Sequence, residues 1–220
     1  NLGIDHLLTQ AQQSGYSGIL GINIGKNFDT PIENATADYL IGLRKAYSSA
    51  SYITINISSP NTKNLRQLQQ GDELKVLIAT LKNEQLILQE EQGFYVPLAV
   101  KIAPDLSDEE ISHIAKLLLE FEIDGVIATN TTISRDLIAG HPFANEAGGL
   151  SGAPVKNQAT HVVRVLAAEL NSQVAIIAAG GILSATDAQE KLAAGASLVQ
   201  VYSGLIYRGP QLIADIVNAL

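Results

Sequence analysis

The sequence predicts a parallel α/β fold, either a (β/α)8 barrel or a doubly wound sheet. The prediction rests on six strand-like apolar runs that are separated by helical patterns. These runs are continuous instead of alternating, which is typical of parallel strands that are buried on both faces. Size agrees with this fold class, because 220 residues with 46% hydrophobic content can bury the core of one large domain.

Helices and strands alternate along the chain. A helix is expected from residue 4 to residue 13, and the predicted strands cover 18–24, 52–58, 96–102, 124–130, 174–179 and 197–203. Capping boxes at 30–33 (Thr-Pro-Ile-Glu) and 107–110 (Ser-Asp-Glu-Glu), together with Gly209-Pro210, predict three helix starts. In a repeated β/α unit the first helix should follow a strand, so we expect at least one unit before residue 1, and two in a barrel. The chain contains no Met, even at position 1, so we expect an excerpt of a longer protein.

Composition excludes several classes of function. The net charge is −8 and no basic patch is present, which argues against a nucleic-acid-binding protein. The absence of Cys excludes disulfides, iron–sulfur clusters and Cys nucleophiles from these residues. The longest apolar stretches hold about ten residues, half of the ~20 that a membrane-spanning helix needs. We also expect no signal peptide.

Polar residues or glycines interrupt each apolar run near its carboxyl end. They are Asn23, Asn56, Lys101, the triplet Thr129, Asn130 and Thr131, the pair Gly180 and Gly181, and the triplet Tyr202, Ser203 and Gly204. A single buried Asn is more often a structural amide than a ligand. Six interruptions at the same end of six parallel strands indicate one binding site, because ligands of parallel α/β folds lie at the carboxyl ends of the strands.

Two features of this edge indicate an anionic ligand. Lys101 lies inside an apolar run, and a buried ammonium is costly without an anion nearby, so it is either a Schiff-base nucleophile or a fixed charge beside a ligand. The glycines after the last two strands predict a phosphate site, which the glycine-rich segment 148–152 could close. The four His residues have no metal-ligand spacing, so we predict surface positions for them and no metal site: His6, His113, His141 and His161. Carboxylates are absent from the strand ends, which disfavours glycoside hydrolysis.

Six motifs together give the chain a family resemblance. They lie at 21–27, 56–62, 100–106, 124–132, 148–152 and 194–204. In these motifs the chain resembles the C-terminal two-thirds of the class 2, quinone-dependent dihydroorotate dehydrogenases. The resemblance implies a (β/α)8 barrel with FMN, of which about six units are present, and oxidation of dihydroorotate to orotate in pyrimidine synthesis. Residues 1–220 would form one FMN-binding domain without the first strands and the membrane-associating helices.

The resemblance also implies a role for each candidate site residue. Ser59 would be the base that removes the C5 proton, and Thr62 would relay that proton towards water. The orotate ligands would be Asn56, Asn61, Asn130 and Thr131, with Asn56 also touching the flavin. The flavin ring would lie against Asn23, Lys101 and Thr129. The FMN phosphate end would lie at Gly152, Gly180, Gly181, Tyr202 and Ser203.

Ser59 places the chain in the quinone-dependent subclass, because class 1 relatives have Cys at that position and this chain has none. The implied partners are dihydroorotate, quinone and, through the missing N-terminal segment, the cytoplasmic face of a bacterial inner membrane. The loop from 62 to 70 is a candidate lid, although Lys63-Asn64 departs from the Pro-Gly of many relatives. Two alternatives stay open: another FMN barrel, such as a dihydropyrimidine or dihydrouridine oxidoreductase, and a non-catalytic fragment that cannot bind flavin.

Overall fold

The computed structural model describes residues 2–69 and 71–220. Its six strands are β1 (Gly21–Ile24), β2 (Tyr52–Asn56), β3 (Leu98–Ile102), β4 (Gly125–Ala128), β5 (Ala175–Ala179) and β6 (Leu198–Gln200). All neighbouring pairs are parallel, and the strand order in the sheet is the order in the chain. The predicted parallel α/β fold with six units is therefore confirmed. The sequential order is that of a barrel wall, whereas a doubly wound sheet reverses its order at a switch point.

Helices separate the strands. They are α1 (Gly3–Gln13), α2 (Ala35–Ala46), α3 (Gly71–Gln92), α4 (Asp108–Glu120), α5 (Lys156–Leu170), α6 (Ala185–Ala193), α7 (Ser203–Arg208) and α8 (Gln211–Asn218). Two short 3-10 helices matter for the site, Leu65–Gln69 before α3 and Ala153–Val155 before α5. Within the described ranges, no helix is long and apolar enough to cross a membrane.

Two of the three predicted helix starts are confirmed. The Ser107 hydroxyl accepts a hydrogen bond from the Glu110 amide, and the Glu110 carboxylate accepts one from the Ser107 amide, so the second capping box exists. Pro210 precedes the first residue of α8. The capping box at 30–33 is wrong: the segment forms a 3-10 turn and α2 begins only at Ala35. The buried ammonium of Lys26 donates to the Thr30 carbonyl at 2.5 Å, which fixes this segment as a loop.

The two faces of the sheet differ in character. One row of side chains runs across five strands on the helix-facing side and lies in the main core: Ile24, Ile55, Val100, Val126 and Ile176. The next row points to the other side: Asn56, Lys101, Ile127, Ile177 and Leu198. On this inner side Ile127 and Ile177 pack with Ala99 and Ala179 in a small apolar cluster. Among the described strands, β1 and β6 have one neighbour each, and Leu198 of β6 is 57% exposed.

Candidate active site

A cavity of about 310 Å³ lies at the carboxyl edge of β3 to β6. Most of the predicted cofactor residues line it, together with two of the predicted substrate ligands: Lys101, Thr129, Asn130, Thr131, Gly152, Gly180, Gly181, Tyr202 and Ser203. Four separate strand ends and the loops that follow them therefore contribute to one wall. The structure brings these nine residues to one cavity, whereas Asn23 and Asn56 of the same prediction are not among its lining residues.

Lys101 supplies the positive charge of this cavity. It lies on the inner face of β3, opposite Asn56 of β2 and Ile127 of β4. Its ammonium has no hydrogen-bond or ion-pair partner among residues 2–69 and 71–220, and burial lowers its pKa. A cation without a partner in a half-enclosed space is costly, and an anionic ligand would remove that cost.

The loop after β5 approaches α5 so closely that one position must be glycine. Gly181 has a φ of +74°, and a Cβ there would lie 2.5 Å from the Lys156 Cα and 2.9 Å from the Lys156 amide nitrogen. Its backbone therefore packs directly on the first turn of α5. The Ser203 hydroxyl donates to the Ser151 hydroxyl at 3.0 Å, which joins the end of β6 to the glycine-rich segment 148–152. Converging loops with free backbone N–H groups are a common way to bind phosphate.

An amide cluster joins the cavity to β2. The Asn130 side-chain amide donates to the Asn56 side-chain oxygen at 3.3 Å and to the Ser58 hydroxyl at 3.1 Å. Ser58 is fully buried and donates to the Lys101 carbonyl at 2.7 Å. Behind the cluster, the Tyr39 hydroxyl donates to the Asn56 carbonyl at 2.7 Å, and burial raises the pKa of Tyr39 so that it stays a donor. These bonds fix two of the predicted orotate ligands in one orientation.

The predicted base lies on the loop that follows β2. Ser59 and Thr62 are partly buried, Asn61 is exposed, and the Ser59 hydroxyl accepts a hydrogen bond from the Asn61 amide at 3.3 Å. These three residues are outside the lining of the 310 Å³ cavity. No hydrogen bond joins Ser59 to Thr62 in the part of the chain that the structure describes, so the proton relay stays a prediction.

The glycine-rich segment 148–152 lies against two of the loops at this edge of the sheet. A Cβ at Gly149 would overlap the Thr131 hydroxyl and lie 2.9 Å from Pro60. The Gly149 backbone therefore contacts both the loop that holds Ser59 and the predicted orotate ligand Thr131. This close contact supports the predicted role of the segment as one wall of the site.

Asn23 and the candidate lid lie apart from the cavity. Asn23 is exposed on the inner side of β1 and is not among the lining residues. In the predicted lid, Leu65 and Leu68 are buried in the main core. A lid movement, which stays a prediction, would therefore involve residues 61–64. Gln70, the last residue of that prediction, lies outside the described residues.

The histidines take no part in the cavity. All four are exposed, as predicted, and His161 contacts the Asp108 carboxylate at 2.7 Å. Within the described ranges, no group of three or more metal-ligating side chains comes together.

Sequence reasoning missed three residues near the site: Ser58, Arg66 and Asp105. Arg66 and Asp105 form an ion pair of 2.7 Å beneath the loops after β2, β3 and β4. The only sequence signal for this ion pair was Asp105, a carboxylate three residues beyond the end of β3. Ser58 gave no signal, because it stands beside Ser59 and has the same side chain.

The sheet and the cavity at its carboxyl edge define the class as a barrel-type parallel α/β protein. A family model described as dihydroorotate dehydrogenase matches residues 1–220. The chain belongs to the dihydroorotate dehydrogenase family.

Curated relatives and solved structures agree with this assignment. Proteins named dihydroorotate dehydrogenase (quinone) are 63% identical in Chromobacterium violaceum and 59% identical in Nitrosomonas eutropha, over 100% of this chain and 64% of theirs. The chain thus spans under two-thirds of the length of these relatives. A ligand-free DHODH crystal structure from Eimeria tenella has a TM-score of 0.90 and 41% identity, over 99% of this chain and 65% of that one. A ferulenol complex of DHODH from the same organism has a TM-score of 0.87 and 40% identity, over 98% and 61%.

Proposed function

We propose that the protein containing this chain oxidises dihydroorotate to orotate, with FMN as cofactor and quinone as electron acceptor. The observation that supports this proposal best is the cavity of Lys101 and the glycine loops, in a chain of the dihydroorotate dehydrogenase family. The names of the relatives supply the substrate and the acceptor.

The residues of the cavity fit a flavin mononucleotide. Gly152, Gly180, Gly181 and Ser203 would hold its phosphate, and Lys101 and Thr129 would lie against its ring. The ammonium of Lys101, which has no partner among the described residues, supports this assignment, because a cofactor that gains negative charge on reduction is stabilised by a fixed cation. FMN, when bound, supplies the hydride acceptor for the oxidation of a carbon–carbon single bond.

The amide cluster fits the substrate. Orotate is planar and rich in amide groups, and Asn side chains both donate to and accept from such a ring. Asn56 and Asn130 are held in place by Ser58 and Tyr39, so their orientation is set before the substrate binds. Asn61 and Thr131 would complete the set of ligands.

Ser59 would remove the substrate proton. A serine hydroxyl is a weak base at neutral pH, so this role requires a fixed orientation and an exit for the proton. The hydrogen bond from the Asn61 amide orients the Ser59 oxygen, and Thr62 is the candidate exit. Quinone and the cytoplasmic face of a bacterial inner membrane would be partners through a part of the protein outside these 220 residues.

The test is the visible spectrum of the purified protein before and after dihydroorotate is added. We expect flavin absorption that bleaches with dihydroorotate and that recovers with a soluble quinone. Bleaching by a dihydropyrimidine or by dihydrouridine alone would favour the other FMN barrels. A folded, colourless protein that takes up no FMN would instead favour the non-catalytic fragment and contradict the proposal.

The variant Ser59→Ala tests the base separately from the cofactor. We expect its affinity for orotate to stay close to that of the wild type, while flavin reduction slows by roughly 10²–10⁴-fold, the usual contribution of a general base. Stopped-flow reduction at saturating dihydroorotate measures this rate. Reduction at the wild-type rate would remove Ser59 from this role.

A further inference from the structure

One ion pair near the site connects three of the loops that form it. The Arg66 guanidinium and the Asp105 carboxylate are 2.7 Å apart, and their side chains are only 20% and 17% exposed. Arg66 lies on the 3-10 helix Leu65–Gln69, and Asp105 lies between β3 and α4. Neither residue lines the cavity, and the proposal above assigns a role to neither.

The remaining donors of Arg66 reach the backbone on both sides of the candidate active site. Its Nε donates to the Ser58 carbonyl at 3.0 Å, and its second terminal nitrogen donates to the Thr131 carbonyl at 2.8 Å. The Ser58 carbonyl belongs to the peptide bond that leads into Ser59. One planar guanidinium therefore fixes the backbone at the predicted base and at a predicted substrate ligand at the same time.

Asp105 extends this connection to the other side of the same loop. Its carboxylate accepts hydrogen bonds from the Thr132 hydroxyl, from the Ile133 amide at 3.2 Å and from the Gln158 side chain of α5 at 3.3 Å. The backbone just after Thr131 is thus held by the carboxylate, while the Thr131 carbonyl is held by the guanidinium. The loops after β2, β3 and β4 meet at this one pair.

We propose that Arg66 is a positioning residue, which keeps the Ser59 loop and the Thr131 loop at a fixed separation during the reaction. This inference rests on the proposed function and deepens it. Arg66 touches neither substrate nor cofactor and acts through the two carbonyls that it binds. A misplacement of about 1 Å between reacting groups can slow a reaction by roughly 10²-fold, so the loss should appear in the rate of the chemical step.

The test compares Arg66→Met with Arg44→Met in purified, flavin-loaded protein. Arg44 is a matched control, because it makes an equally close pair with Glu84 (2.6 and 2.9 Å) between α2 and α3. We expect Arg66→Met to slow flavin reduction at saturating dihydroorotate by roughly tenfold or more, with the orotate dissociation constant changed much less. Arg66→Lys should give an intermediate rate, because an ammonium keeps the charge but cannot reach all three acceptors. Arg44→Met should leave this rate near that of the wild type.

Amide hydrogen exchange provides a readout that does not depend on activity. In Arg66→Met, residues 57–62 and 131–133 should both exchange faster, while the strands exchange as before. A wild-type rate of flavin reduction in the loaded variant, or exchange that rises only at residues 65–69, would overturn the proposal. If dihydroorotate fails to reduce even the wild-type flavin, the proposed function fails, and the exchange data alone still decide whether Arg66 positions the two loops.

Discussion

The substitution Gly181→Ala should separate two energetic costs, that of a left-handed backbone conformation and that of steric overlap with α5. In Gly181→Ala the new Cβ would meet the backbone of Lys156 at 2.5 Å from its Cα, in a conformation with φ of +74°. Gly93→Ala is the matched control, because Gly93 has nearly the same φ, +79°, and nothing lies within 4 Å of its added Cβ. Both variants incur the strain of a left-handed backbone, and only Gly181→Ala also incurs the overlap.

The expected losses follow from these distances. A left-handed alanine costs about 1–2 kcal/mol relative to glycine, so Gly93→Ala should lower the free energy of unfolding by that amount. Overlap with a neighbouring backbone adds roughly 1–3 kcal/mol, because the first turn of α5 has to move. Gly181→Ala should therefore lower the free energy of unfolding by about 2–5 kcal/mol in total. It should also lower the affinity for FMN.

Denaturant unfolding of both variants measures the first quantity, and fluorescence titration of FMN measures the second. The control variant should keep the FMN affinity of the wild type. Equal losses of stability in the two variants, or unchanged FMN affinity in Gly181→Ala, would show that the close approach to Lys156 does not shape the site.

Two further predictions concern buried lysines. Lys101→Met should lower FMN affinity by roughly ten- to hundredfold, which is the contribution of a charge-assisted hydrogen bond. It should not lower stability, because it removes an ammonium that has no partner in the described part of the chain. FMN titration together with denaturant unfolding tests both parts, and unchanged affinity would contradict the charge argument. Lys191 is fully buried and donates to the Lys156 carbonyl and the Thr160 hydroxyl, and burial lowers its pKa to about 8. Between pH 8 and ~10.4, the pKa of an unfolded lysine, the unfolded chain binds more protons than the folded chain. This lysine should therefore make the free energy of unfolding rise with pH across this range, by up to about 3 kcal/mol. Unfolding at several pH values should show a flatter profile in Lys191→Met and the original one in the exposed control Lys116→Met; identical profiles for both variants would exclude Lys191 as the source.

The strands could be predicted from the sequence because hydropathy reports burial, and most strands here are buried on both faces. The same property explains why the predicted strands are too long. Ile57 and Ser58 are fully buried, yet β2 ends at Asn56, because burial continues under the loop after the ladder of backbone bonds has stopped. Similarly, the predicted strand 197–203 runs past the end of β6 at Gln200 to the first residue of α7, and Tyr202, just before α7, is 79% exposed.

Site residues could be predicted only where a residue is unusual for its sequence surroundings. Lys101 stands out because it interrupts an apolar run, and the glycines stand out because they follow strands. Arg66 is not unusual in this way, and Asp105 gives only a weak signal, because a charged residue in the loop three residues beyond β3 is ordinary. Their pairing joins positions 39 residues apart, and only the fold brings them together.

The sequential strand order bears on how the protein is made. Because each strand pairs with the one before it in the chain, the sheet can lengthen strand by strand as the polypeptide leaves the ribosome. The cavity cannot form strand by strand, because one wall depends on Thr129 and another wall depends on Ser203. At roughly 5–20 residues per second, several seconds of synthesis separate these two walls. Binding of the proposed cofactor would therefore be a late event in the life of a new chain, and a chain that stalls before β6 would have most of the sheet but an incomplete cavity.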